Sequence, residues 1–84
     1  MKTKIEIGKT YQTNPNEEFK VIGIEKELGT VFLKELNPSK EKPYQLIDEK
    51  DIIEMDLPNN KGKEYLGSIE FDLESFESLA IEIK

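Results

Sequence analysis

The stretch FKVIGIEKELGTVFLKEL, Phe19 to Leu36, decides the fold. Its two arms, Phe19 to Lys26 and Thr30 to Leu36, are rich in β-branched and aromatic residues, which lose side-chain freedom in a helix and pack well on a pleat. Between them Lys26-Glu27-Leu28-Gly29 reads as a hairpin turn, with Gly29 free to take a positive φ. The arms are apolar at successive positions, Val21-Ile22-Gly23-Ile24 and Val31-Phe32-Leu33, rather than alternating with polar residues. Strands of that kind are buried on both faces. Each face of this hairpin therefore needs a cover.

Outward from the hairpin, the pattern remains that of strands and turns. Ile5, Ile7 and Tyr11 alternate with Lys4, Glu6 and Thr10, and Thr13-Asn14-Pro15-Asn16 is a turn. Asn37 to Pro43 reads as a loop, Tyr44 to Ile47 as a short strand, Asp48 to Asp51 as a tight turn and Ile52 to Leu57 as a further strand. That order, over about residues 8–57, resembles an SH3-like small β-barrel. Pro58 to Lys63 is linker-like. Beyond it, Ile69, Phe71 and Leu73, then Leu79, Ile81 and Ile83, occupy every second position, which predicts an appended C-terminal β-hairpin over 64–84. Leu73, Phe76, Leu79, Ala80 and Ile83 also fit helical spacing with Asp72 as N-cap, so 73–80 has a helical alternative. Ten Ile, two Val and four Thr against a single Ala favour the strand reading. The hairpin is the expected cover for the second face of Phe19–Leu36, with a partner subunit as the alternative. The chain is expected to be one small, mainly β domain, 1–84.

Composition removes whole classes of function. Among 84 residues there are 12 Lys and 18 acids, and no Arg, His, Cys or Trp. Zinc fingers, iron–sulfur clusters, haem ligation and disulfide frameworks are excluded, as are nucleophilic dyads built on His or Cys. With seven aromatic residues, a domain this small is expected to commit nearly every large apolar side chain to its core, leaving little for an exposed greasy surface or a deep apolar cavity. No segment reads as a secretory signal or a membrane span, so a cytoplasmic location is expected.

Three motifs resemble chemistry and fail on inspection. Gly8-Lys9-Thr10 ends like a phosphate-binding loop, but Thr3 stands where the earlier glycine belongs and a turn follows instead of a helix. Asp48, Asp51, Glu54 and Asp56 lack the alternating ligands and central glycine of a calcium loop. Carboxylate pairs for glycoside hydrolysis need a substrate cleft that a chain this short has little room to build. The expectation is a protein that is not an enzyme and carries no cofactor or metal.

Charge is the feature above background. Residues 1–47 hold eight Lys and seven acids, net +1, whereas residues 48–84 hold four Lys and eleven acids, net −7. On the predicted strands Ile53, Met55 and Leu57 face inward, leaving Glu54 and Asp56 outside; Glu70, Asp72, Glu74 and Glu82 follow likewise. These six form the candidate partner-binding face. They imply a non-catalytic protein-binding or inhibitory module docking on a basic protein surface, in its narrowest form a phage or mobile-element nucleic-acid mimic whose carboxylates stand in for phosphates. The second reading is a small β-barrel that binds nucleic acid directly through Lys2, Lys4, Lys9, Lys20, Lys34, Lys40 and Lys42, with Tyr11, Phe19 or Tyr44 as stacking platforms. Pattern alone leaves monomer and homodimer equally open.

Overall fold

A computed structural model describes residues 2–14, 17–37 and 44–83. It is mainly β: a five-stranded antiparallel sheet in the order β4-β3-β2-β1-β5, with β1 Thr10–Asn14, β2 Glu17–Glu25, β3 Thr30–Glu35, β4 Ile69–Asp72 and β5 Ile81–Ile83. Two short helices, α1 Glu49–Met55 and α2 Leu73–Leu79, complete it with a 3₁₀ segment over Pro58–Tyr65. The hairpin of β2 and β3 forms as its sequence predicts, and Gly29 sits in its turn at φ +65°. The tip of the turn after Asn14, and most of the loop expected over 37–43, lie outside the described residues.

Both faces of the hairpin are covered. Val31, Phe32 and Leu33 are all fully buried, and their side chains alternate between two cores. One core joins Tyr11, Phe19, Val21, Val31, Leu33 and Ile69 to Phe76 and Ala80. The other joins Phe32 to Ile47 and Tyr65, with Ile22, Ile52, Met55 and Leu57 packed around them. The covers are not those expected. Helix α2 closes the first core, and the chain from Ile47 to Tyr65 closes the second.

Two predicted elements are corrected. The C-terminal segment 64–84 is not a hairpin: β4 pairs with β3 and β5 with β1, at opposite edges of the sheet. Helix α2 carries the chain between them, which realises the helical alternative. Asp72 caps it by accepting from the Ser75 N–H and hydroxyl, each at 2.9 Å, and Phe76 and Ala80 bury one side. The outer strands of a flat five-stranded sheet would stand ~19 Å apart, whereas a helix of seven residues spans ~10 Å. The sheet accordingly curls over α2, helped by irregular pairing at Gln12/Asn14 and Val21/Gly23, but it does not close.

The strand expected at Ile52–Leu57 is instead α1. Asp48 and Asp51 form a reciprocal capping box, each carboxylate accepting the other's backbone N–H at 3.0 and 3.1 Å. Ile52 and Met55, three apart, then face the second core, while Ile53 points to solvent rather than inward. The predicted strand at Tyr44–Ile47 reduces to one bridge, Leu46 against Ile69.

The N-terminal residues are tied to this frame. Thr3 N–H and hydroxyl donate to Glu77 and Ala80 carbonyls at 2.8 and 2.5 Å. The hydroxyl of buried Tyr11 donates to Lys4 C=O at 3.0 Å and accepts from Glu6 N–H at 2.9 Å. Tyr11→Phe keeps the packing but strips both backbone groups of their partner. It is expected to cost ~1–2 kcal/mol, read as a drop of roughly 4–16 °C in thermal midpoint.

Candidate protein-binding groove

Strand β4 and helix α1 frame a groove along one sheet edge. Glu70 stands opposite Phe32 in the β3–β4 register, so its side chain lies on the α1 side of the sheet. The box at Asp48 starts α1 where Asp51 and Glu54, three apart on one helix side, reach the same space. Two open hollows of about 260 and 320 Å³ share Asp51 and Glu70 and run from Leu46 and Ile47, beside the start of β4, to Leu28 and Thr30, beside its end. Among the described residues the lining contains three carboxylates and no lysine, over a floor supplied by Leu28, Leu46, Ile47 and Met55.

Ion pairing separates these acids from four others. Lys9 lies 2.6 Å from Glu6 and 3.7 Å from Glu82, Lys2 lies 3.5 Å from Glu74, and Lys61 lies 3.0 Å from Glu25. Hydrogen bonding and charge from Lys9 hold the Glu6 carboxyl below the usual range. Among the described residues Asp51, Glu54 and Glu70 make no ion pair.

No family model, curated protein or solved structure matches the chain.

The six carboxylates singled out in the sequence therefore divide. Glu54 and Glu70 meet in the groove. Asp56 ends α1 with left-handed backbone, at φ +49°. Asp72 is engaged as the α2 cap, and the Ser75 N–H, followed by its hydroxyl, holds the carboxyl below its ordinary value. Glu74 projects from α2 toward Lys2, and Glu82 lies on the opposite sheet edge, facing the α2 side across from Tyr11. The six do not share one face, because β4 and β5 lie at opposite edges of the sheet. Asp51 joins the groove and was missing from the six; its signal was the spacing to Asp48, which sets the helix, and to Glu54.

The stacking platforms of the nucleic-acid reading are also placed. Tyr11 and Phe19 are buried in the first core and offer no face to a base. Tyr44 packs edge-on against Phe19, and its hydroxyl donates to Glu17; burial first, then this bond, pushes the phenol up to about 12. Lys20 and Lys34 stand opposite each other on β2 and β3, both exposed, while Lys40 and Lys42 lie outside the described residues. Among the described residues no three acidic side chains converge as a metal site, and no helix is long and apolar enough to cross a membrane.

Proposed function

We propose that the chain is a non-catalytic, cytoplasmic protein-binding module whose α1–β4 groove receives a lysine- or arginine-bearing segment of a partner. The observation that carries this reading is convergence without pairing: Asp51, Glu54 and Glu70 line one open groove and among the described residues make no ion pair, whereas Glu6, Glu25, Glu74 and Glu82 each lie against a lysine. Unpaired carboxylates over an apolar floor suit a partner that brings both cations and aliphatic stems. The free side of β4 supports an extended partner, because Leu46 already lies beside Ile69 and the line it begins is vacated when the chain turns into α1. The narrower form is inhibitory, with these carboxylates occupying the basic groove of a nucleic-acid-binding enzyme. In fold terms the same reading treats the sheet as an SH3-like small barrel left open; its support is the run β1 to β4 with β5 returning beside β1.

The test uses a labelled peptide of alternating lysine and valine, followed by fluorescence anisotropy. Binding is expected at ~0.05 M salt and should weaken at least ~10-fold by ~1 M, where the Debye length is only ~3 Å. The double variant Glu54→Lys/Glu70→Lys should abolish it. Glu74→Lys/Glu82→Lys changes net charge equally, from −6 to −2, but alters acids that already have lysine partners, and should retain most binding. Equal losses in both variants would reduce the effect to net charge and remove the groove from the account. A mobility shift with mixed-sequence oligonucleotides in place of peptide binding would transfer the function to the second reading.

A further inference from the structure

A second groove lies on the other side of α1 and has a different character. Ile52, Ile53 and Leu66 line a hollow of about 440 Å³ between α1 and the end of the 3₁₀ segment, with Glu49 on one flank and Lys63 on the other. Ile53 is 77% exposed, more than any other large apolar side chain described. The hollow is preformed: Gly62 is buried against Ile52 so closely that a Cβ there would meet the Ile52 Cγ2 at 2.9 Å. Among the described residues neither Glu49 nor Lys63 has an ion pair.

We propose that this groove is a two-fold interface for a second copy of the chain, in which Ile53 of each copy enters the hollow of the other. The charges favour that occupant. An isologous contact must be complementary to itself, and a patch with one acid and one base on opposite flanks of an apolar centre meets that condition. The axis brings Glu49 of one copy to Lys63 of the second and repeats the pair on the other side. A purely basic or purely acidic partner would leave one flank opposed by like charge. Asp51, Glu54 and Glu70 stay outside the contact because they occupy the opposite side of α1.

The interface is small. Helix α1 is ~10 Å long, and with the following turn it offers less than the ~800 Å² per partner of a standard stable complex. A weak, concentration-dependent dimer is therefore the expected state, with half-association near ~100 µM, between the µM and mM affinities of ordinary weak contacts.

Sedimentation equilibrium at ~0.15 M salt, where the Debye length is ~8 Å and repulsion between acidic copies is screened, tests this directly. The mass should rise from 9.7 kDa toward twice that value as the chain is concentrated from ~10 µM to ~1 mM. Ile53→Ser, at an exposed position, should hold it at the monomer mass with an unchanged circular dichroism spectrum. Glu49→Lys and Lys63→Glu should each be monomeric alone, and an equimolar mixture of the two should associate, since each then complements the other at both contacts. A wild-type chain that stays monomeric at ~1 mM overturns the proposal. So does a dimer indifferent to Ile53→Ser, or a mixture no more associated than its components.

Discussion

Alanine at position 23 is expected to destabilise the fold by ~3 kcal/mol, from overpacking that typically costs 1–3 kcal/mol and the aromatic and hydrogen-bond contacts it displaces. Gly23 is buried in β2, and a Cβ there would lie 2.2 Å from Cε1, 2.6 Å from the hydroxyl and 2.7 Å from Cζ of Tyr65. The ring has nowhere convenient to go. It stacks on Phe32 with centroids 3.8 Å apart and planes within 3°, and its hydroxyl donates to Glu25 at 2.6 Å. Glu25 in turn meets Lys61 at 3.0 Å, so shifting the ring disturbs the 3₁₀ segment as well. Urea unfolding should show the loss as a lower midpoint at nearly constant m. In a Tyr65→Ala background the same substitution should cost less than ~1 kcal/mol, because contacting residues are not additive. Equal costs in both backgrounds would mean the collision with Tyr65 is not the cause.

The same bond has a pH signature. Tyr65, first, and then Lys61 hold the Glu25 carboxyl below its ordinary 4.5, against the opposing effect of burial. A carboxyl depressed in the folded state stabilises fully above its unfolded value, and the contribution is lost as pH falls through the folded one. Burial, then the bond to Glu25, pushes the Tyr65 phenol upward.

Phe76→Ala is expected to cost ~4 kcal/mol, within the usual range for a fully buried phenylalanine. Phe76 has no exposed surface and meets Tyr11, Phe19 and Phe71 edge-on at centroid distances of 5.8, 6.5 and 5.7 Å. For a domain of 84 residues the whole stability is ~4–13 kcal/mol, so the variant gives up at least about a third of it, and its thermal midpoint by circular dichroism should fall by roughly 16–32 °C. Leu79→Ala on the same helix is the control. Leu79 is 54% exposed, and its truncation should stay within ~0.5 kcal/mol. If the two variants melted together, α2 would not be the anchor of the first core.

The hairpin of β2 and β3 was legible because its turn residue and its two-faced apolar arms point to the same structure. Helix α2 was legible only as an alternative: Leu73, Leu79 and Ile83 satisfy both periods, Phe76 fits only the helical one, and packing of Phe76 and Ala80 under the sheet decides between them. Helix α1 was misread because Ile52 and Ile53 carry strand propensity and Ile53, Met55 and Leu57 alternate. The Asp48–Asp51 box and burial of Ile52 and Met55 override that preference. Tyr65 was missed because it follows a linker-like stretch, and nothing local announces that Gly23, more than forty residues earlier, leaves room for its ring. The expectation that nearly all large apolar residues enter the core also failed, since Ile7, Ile53 and Ile81 are each more than 60% exposed. As for the groove, Glu54 and Glu70 were named, but their meeting depends on β4 lying at the sheet edge beside α1, a nonlocal fact no charge count contains.

The pairing of Thr10–Gln12 with Ile81–Ile83 places an early segment of the domain beside one synthesised much later. During translation, β1 and the β2–β3 hairpin leave the ribosome well before β5 exists, and α2, the lid of the first core, emerges just ahead of it. Until then the nascent chain carries Tyr11, Phe19 and Val21 without their cover, and β1 has an open flank able to pair with another chain. The sheet is therefore completed only once residues 81–83 have emerged, and its rate is set by slow nonlocal pairing rather than by the hairpin that forms first.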